Sequence, residues 1–126
     1  MLSEAQILER LRKTCRDLPG ASETVTFGHP TFQVNGKTFS VLEEYKSELG
    51  ICVKVEKELQ AIFLADPRFF PTHYIGKHGW ITLKVHAAPL TWTEIKALVR
   101  GNYGLVAATG SRSKEATKRK QNPSAI

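Results

Sequence analysis

The 126-residue sequence is poor in sulfur, with one methionine and two cysteines, Cys15 and Cys52. Those two give neither a disulfide framework nor a metal-ligand spacing, so both read as reduced, packed thiols. No apolar run approaches the roughly 20 residues that a membrane helix needs. Glu4 and Glu9 stand where a signal peptide would have its apolar region, and a cytoplasmic protein is expected. No Gly-rich phosphate loop opens a helix, because Gly76-Lys77-His78-Gly79 leads into a strand pattern. The four histidines, His29, His73, His78 and His86, show none of the usual metal-ligand spacings, and His29 before Pro30 reads as a turn residue. Ser40 has no base visible in the sequence, and Asp17 and Asp66 stand alone. No catalytic residues, metal ligands or cofactor site are legible, and a binding module is expected rather than an enzyme.

What is present describes an ordinary globular chain. The hydrophobic fraction is 41% and the charged fraction 24%, and the length suits one domain with a single core. The net charge of +6 is unevenly spread. Residues 109–126 carry Arg112, Lys114, Lys118, Arg119 and Lys120 against the single carboxylate of Glu115. That stretch has almost no apolar residues and cannot bury enough surface to fold alone. The division expected is a domain over residues 1–108 and a basic disordered tail over 109–126. Such a tail suits a polyanionic partner, and equally a solvated segment with none.

In chain order, Ser3 and Gln6 form a capping box for a first helix. Ile7, Leu8, Leu11 and Cys15 make its apolar stripe, and Arg10, Arg12, Lys13 and Arg16 its wet side. Pro19-Gly20 ends it. Strands are expected over Glu23–Phe27, Thr31–Val34, Lys37–Leu42 and Leu49–Val55. Asn35-Gly36 marks a tight hairpin, because a type I′ turn needs positive φ at both central residues. A helix over Glu56–Ala65 turns Leu59, Ile62 and Phe63 inward and stops at Asp66-Pro67. Beyond Gly79 the parity is again that of a strand, with Ile81, Leu83 and Val85 on one side and Trp80, Thr82 and Lys84 on the other. Thr91 and Glu94 open a last helix whose stripe is Ile95, Leu98, Val99 and Tyr103.

This order predicts a two-layer α+β domain, an antiparallel sheet of about five strands with helices packed on one face. The other face is then open to water. The second parity class assigns it Gln33, Thr38, Ser40, Cys52, Lys54, Trp80, Thr82 and Lys84, a surface with two lysines and no carboxylate. Lys37 at the hairpin, and Arg68 and Lys77 in the approach to Trp80, line its rim. Lys37, Lys54, Arg68, Lys77, Trp80 and Lys84 are therefore the candidate binding residues.

Several stretches resemble the MmcQ/YjbR-like proteins. They are Leu18-Pro19-Gly20-Ala21, Phe27-Gly28-His29-Pro30, Phe32-x-Val34-x-Gly36-Lys37-x-Phe39 and Asp66-Pro67-Arg68-Phe69-Phe70. The likeness continues in Tyr74-Ile75-Gly76-Lys77-His78-Gly79-Trp80 and Tyr103-Gly104-Leu105-Val106-Ala107, and spans about residues 3–107, with Gly-x-x-Gly-Trp its most specific part. The resemblance implies a small bacterial cytoplasmic domain, one sheet flanked by helices, similar in shape to double-wing DNA-binding domains and without an established catalytic role. Many members place His directly before the Trp and Ser before the late Tyr; here those positions are Gly79 and Asn102.

The functional expectation is a monomeric module that contacts DNA phosphates through Lys and Arg, with Trp80 packed against sugar or base. No side-chain pattern suggests a recognition helix, so sequence preference is weak. A small-molecule pocket walled by Trp80, Tyr74 and Lys77, or a protein-interaction domain, is the alternative.

Overall fold

The computed structural model describes the backbone of residues 2–73, 75–86 and 91–121, and the side chains of these up to residue 108. The chain runs α1 (Glu4–Arg16), β1 (Ala21–Thr26), β2 (His29–Val34), β3 (Lys37–Tyr45), β4 (Glu48–Lys54), α2 (Lys57–Leu64), β5 (Phe69–Pro71), a 3₁₀ turn (Gly76–His78), β6 (Trp80–Lys84) and α3 (Trp92–Gln121). The strands form one antiparallel sheet in the order β1-β2-β3-β4-β6-β5. It is the expected α+β architecture, with six strands among the described residues where about five were expected. The tail reading from residue 109 falls on side chains outside the described residues, and the backbone of α3 runs into it.

Three successive two-residue turns build the first four strands into a meander. Phe27-Gly28, Asn35-Gly36 and Lys46-Ser47 all have positive φ at both residues, the geometry that matches the right-handed twist of paired strands. Only the middle turn has the Asn-Gly pair that announces it in sequence. The first places Phe27 at a tip where it is 96% exposed.

Alternation puts Leu42, Ile51, Leu83 and Phe69 in one row across four strands. These residues share a core with Ile7 and Leu11 of α1 and with Ile95, Val99 and Val106 of α3. Ser3 caps α1 as expected, receiving the amide of Gln6 while the Gln6 side chain accepts from the Ser3 amide. Trp92 of α3 donates through its indole nitrogen to Thr14 of α1 at 3.3 Å. Tyr103 donates to the carbonyl of Pro19 and meets Phe39 edge-on at 5.5 Å.

Two expectations are corrected by local geometry. The pairing of β2 with β3 slips by one residue, so that Phe32 faces Ser40 while Gln33 faces Thr38. The extra residue, Phe39, forms a β-bulge. Beyond it every side chain of β3 changes side, because the period is two. Ser40 therefore joins the row of Phe32 and Val53 and is fully buried, while Val41, Glu43 and Tyr45 move to the face of Cys52 and Lys84. The second face thus includes a carboxylate, Glu43, and no longer includes Ser40.

α2 is also rotated from its expected setting. Leu59 and Ile62 are 42% and 69% exposed, whereas Gln60 is buried. The polar residue is held inward by its own amide: Gln60 Nε2 donates to Gly76 O at 2.6 Å and to Trp80 O at 3.2 Å, and Gln60 Oε1 accepts from Lys57 Nζ at 2.9 Å. A buried side-chain amide is costly unless paired, and these partners satisfy it.

Candidate nucleic-acid interface

Lys54 is the last residue of β4 and Trp80 the first of β6, and the two are cross-strand partners. Lys37 follows the Asn35-Gly36 turn as the first residue of β3. These three strand ends meet at one end of the sheet. Lys37, Thr38, Lys54 and Trp80, with Leu105 and Val106 of α3, enclose a hollow of about 120 Å³. Gly79 fixes the approach. Its φ is +93° and a Cβ there would lie 2.6 Å from Val55 O, while its own carbonyl accepts from Val55 N at 2.9 Å. The exit of β4 and the entry of β6 are locked together by that contact.

The 3₁₀ turn that precedes β6 carries a further lysine. Lys77 is exposed, and its carbonyl accepts from Lys57 Nζ at 2.9 Å. Lys57 also donates to Gln60 Oε1 at 2.9 Å. Lys57 was not among the residues singled out by sequence, since a lysine at the start of a helix has no distinguishing pattern. Among the described residues, none of Lys37, Lys54, Lys57 and Lys77 forms an ion pair with a carboxylate.

The remaining candidates lie apart. Arg68 is bound to Asp66 at 2.8 Å and to Glu94 at 2.7 Å. Its guanidinium pKa is raised, chiefly by the hydrogen bond to Asp66, and the Asp66 carboxyl is held below its usual range by the same partner. Arg68 thus ties the approach to β5 onto the start of α3, with its charge neutralised. Lys84 shares a sheet face with Lys54, four residues along β6 from Trp80, or about 13 Å. There it lies level with Glu43 across Gly50, and its ammonium stands 5.8 Å from the Phe70 ring.

The second face is less open than expected. Thr31, Cys52, Thr82 and Thr72 are all buried, and Thr72 Oγ1 and Thr82 Oγ1 lie 2.9 Å apart, with Cys52 Sγ 3.4 Å from Thr82 Oγ1. The segment after β5 folds across this side, where the ring of His73 stacks on Tyr45 at 4.2 Å. Burial pushes the Cys52 thiol up to about 12, and that of Cys15 to about 12 as well, so neither is a nucleophile at neutral pH. Trp80 is only 9% exposed. Its indole walls the hollow and leaves too little ring for a base to stack on, though it stays outside the main core cluster. Tyr74, the third wall of the alternative pocket, lies outside the described residues.

Among the described residues no group of three or more His, Cys, Asp or Glu could hold a metal ion, and no helix is long and apolar enough to cross a membrane.

The family model described as YjbR matches residues 16–105. The crystal structure of protein DR2400 of Deinococcus radiodurans, with its DUF419 domain, is similar to this chain with a TM-score of 0.71 and 24% identity, over 82% of this chain and 80% of that one. A structure of a protein from Pseudomonas syringae matches with a TM-score of 0.69 and 19% identity, over 83% of this chain and 99% of that one. Both likenesses are of fold. Comparison with curated proteins finds no match.

Proposed function

The chain belongs to the YjbR family, and from its charge distribution we propose that it binds DNA through phosphates, at the end of the sheet that carries Lys37 and Lys54, together with Lys57 of α2 and Lys77 of the 3₁₀ turn. The observation that carries this reading is the hollow shared by Lys37, Lys54 and Trp80, whose α3 wall at Leu105 and Val106 leads directly into the basic segment. Five cations of residues 109–126 thus follow in the chain from the lysine-bearing end. Phosphate neutralisation releases condensed counterions, and that release supplies the affinity without reading sequence. Arg68 and Lys84 contribute little here, the one ion-paired and the other beside Glu43. Trp80 shapes the surface rather than stacking.

Four phosphates engaged by the four lysines alone give a slope of log affinity against log salt of about −3.6, and any phosphate engaged by residues 109–126 steepens it. Fluorescence anisotropy of labelled duplexes with the full chain tests this between about 50 and 200 mM salt. Two unrelated duplex sequences should bind alike. Binding that does not weaken with salt, or none at the lower concentration, refutes the reading.

A further inference from the structure

We propose that the groove between α2 and α3 is a binding site for a small flat molecule bearing a carboxamide-like edge, held by the side-chain amide of Asn102. The groove encloses about 230 Å³ and is walled by Leu59 and Phe63 of α2 and by Leu98, Asn102 and Leu105 of α3, with Lys54 beside them. Asn102 is 2% exposed, and neither the nitrogen nor the oxygen of its amide has a hydrogen-bond partner. Buried polar side chains are paired as a rule, and an exception calls for a cause. Here the group lines a cavity, and a ligand is the partner that completes it.

The chemistry of the wall defines that ligand. An asparagine amide offers donors and an acceptor side by side, so its complement presents an acceptor next to a donor: a primary carboxamide, a lactam or the edge of a nucleobase. The rest of the lining is mainly hydrocarbon with one aromatic ring, which suits a flat apolar body. An apolar cavity of roughly 150 Å³ already holds benzene, so this groove accepts a ring with its substituent. The rotation of α2 sets one wall of the groove. Gln60 turns inward to serve the carbonyls of Gly76 and Trp80, which leaves Leu59 half exposed on the groove side. Leu59 is thus a half-exposed wall of the groove that also holds the amide.

The site is independent of the DNA reading, although Lys54 and Leu105 line both hollows. Benzamide is the probe, and methyl benzoate, which keeps the ring and the carbonyl acceptor but lacks the N–H donors, is its control. Titration of the ¹⁵N-labelled full chain with benzamide should shift the Asn102 side-chain NH₂ signals and the amides of Leu59, Phe63 and Leu98 in a saturable way. Methyl benzoate should bind at least about tenfold more weakly, as expected for a buried polar group left unpaired. Asn102→Leu should abolish that preference. Leu59→Trp, which adds bulk to the groove wall while leaving Asn102 in place, should abolish benzamide binding altogether. Shifts that avoid the groove, a preference that survives Asn102→Leu, or binding that survives Leu59→Trp would each overturn the assignment.

Discussion

Gly50 and Thr82 occupy one space: a Cβ added at Gly50 would overlap Thr82 Cγ2, with Leu83 O a further 3.4 Å neighbour. Thr82 cannot move away freely, because its hydroxyl is shared between Thr72 and Cys52. Gly50→Ala should therefore cost about 2 kcal/mol, the usual range for overpacking. Thr82→Ser keeps the hydroxyl and removes the offending methyl, so the double variant should recover most of that loss. Urea denaturation of the two single variants and the double one checks the coupling.

The Lys46-Ser47 turn has φ values of +51° and +66° without a glycine. A side chain in that region is strained by roughly 1–2 kcal/mol. Ser47→Gly relieves the strain but adds freedom to the unfolded chain, and should stabilise by about 0.5–1 kcal/mol in the same denaturation assay. Gly36→Ala in the neighbouring hairpin, where φ is +74°, should act in the opposite direction.

Two pH limbs follow from the paired and buried groups. Asp66 is held low by Arg68, so the folded state prefers its charged form. That contribution is complete above the ordinary aspartate value near 4 and is lost as pH falls below it. The stability advantage of the native protein over Arg68→Met should therefore shrink on acidification below about pH 4. At the alkaline end, Cys15 and Cys52 are raised from 9.0 to about 12. The unfolded thiols ionise first, so stability should fall as pH rises from about 9 towards 12. Thiol-specific alkylation at neutral pH should be slow in the folded protein and rapid in urea.

The parts legible in sequence were those set by local chemistry. The Ser3-Gln6 box, the Asn35-Gly36 turn and the alternation of β4 and β6 appear where their residues place them. The failures had non-local causes. A single bulged residue, Phe39, reversed the faces of β3 beyond it and brought Glu43 onto a surface that composition had described as free of carboxylates. Apolar spacing turned Leu59, Ile62 and Phe63 of α2 inward, and only Phe63 packs against the core, because the carbonyls that hold Gln60 come from residues 76 and 80. Arg68 looked available until its two acidic partners, one of them from α3, were in place. Lys57 has no sequence signal, and Asn102 stood out only as a departure from the Ser that many family members place there; both matter through what surrounds them.

The direct test of the phosphate-binding end is the salt slope of duplex affinity for the Lys37→Gln/Lys54→Gln variant of the full chain, with Lys13→Gln on α1 as the control. The double variant should reduce the magnitude of the slope by about 1.8, two lost phosphate contacts, while the control leaves it unchanged. An unaltered slope in the double variant, or an equal reduction per lysine in the control, would contradict the account.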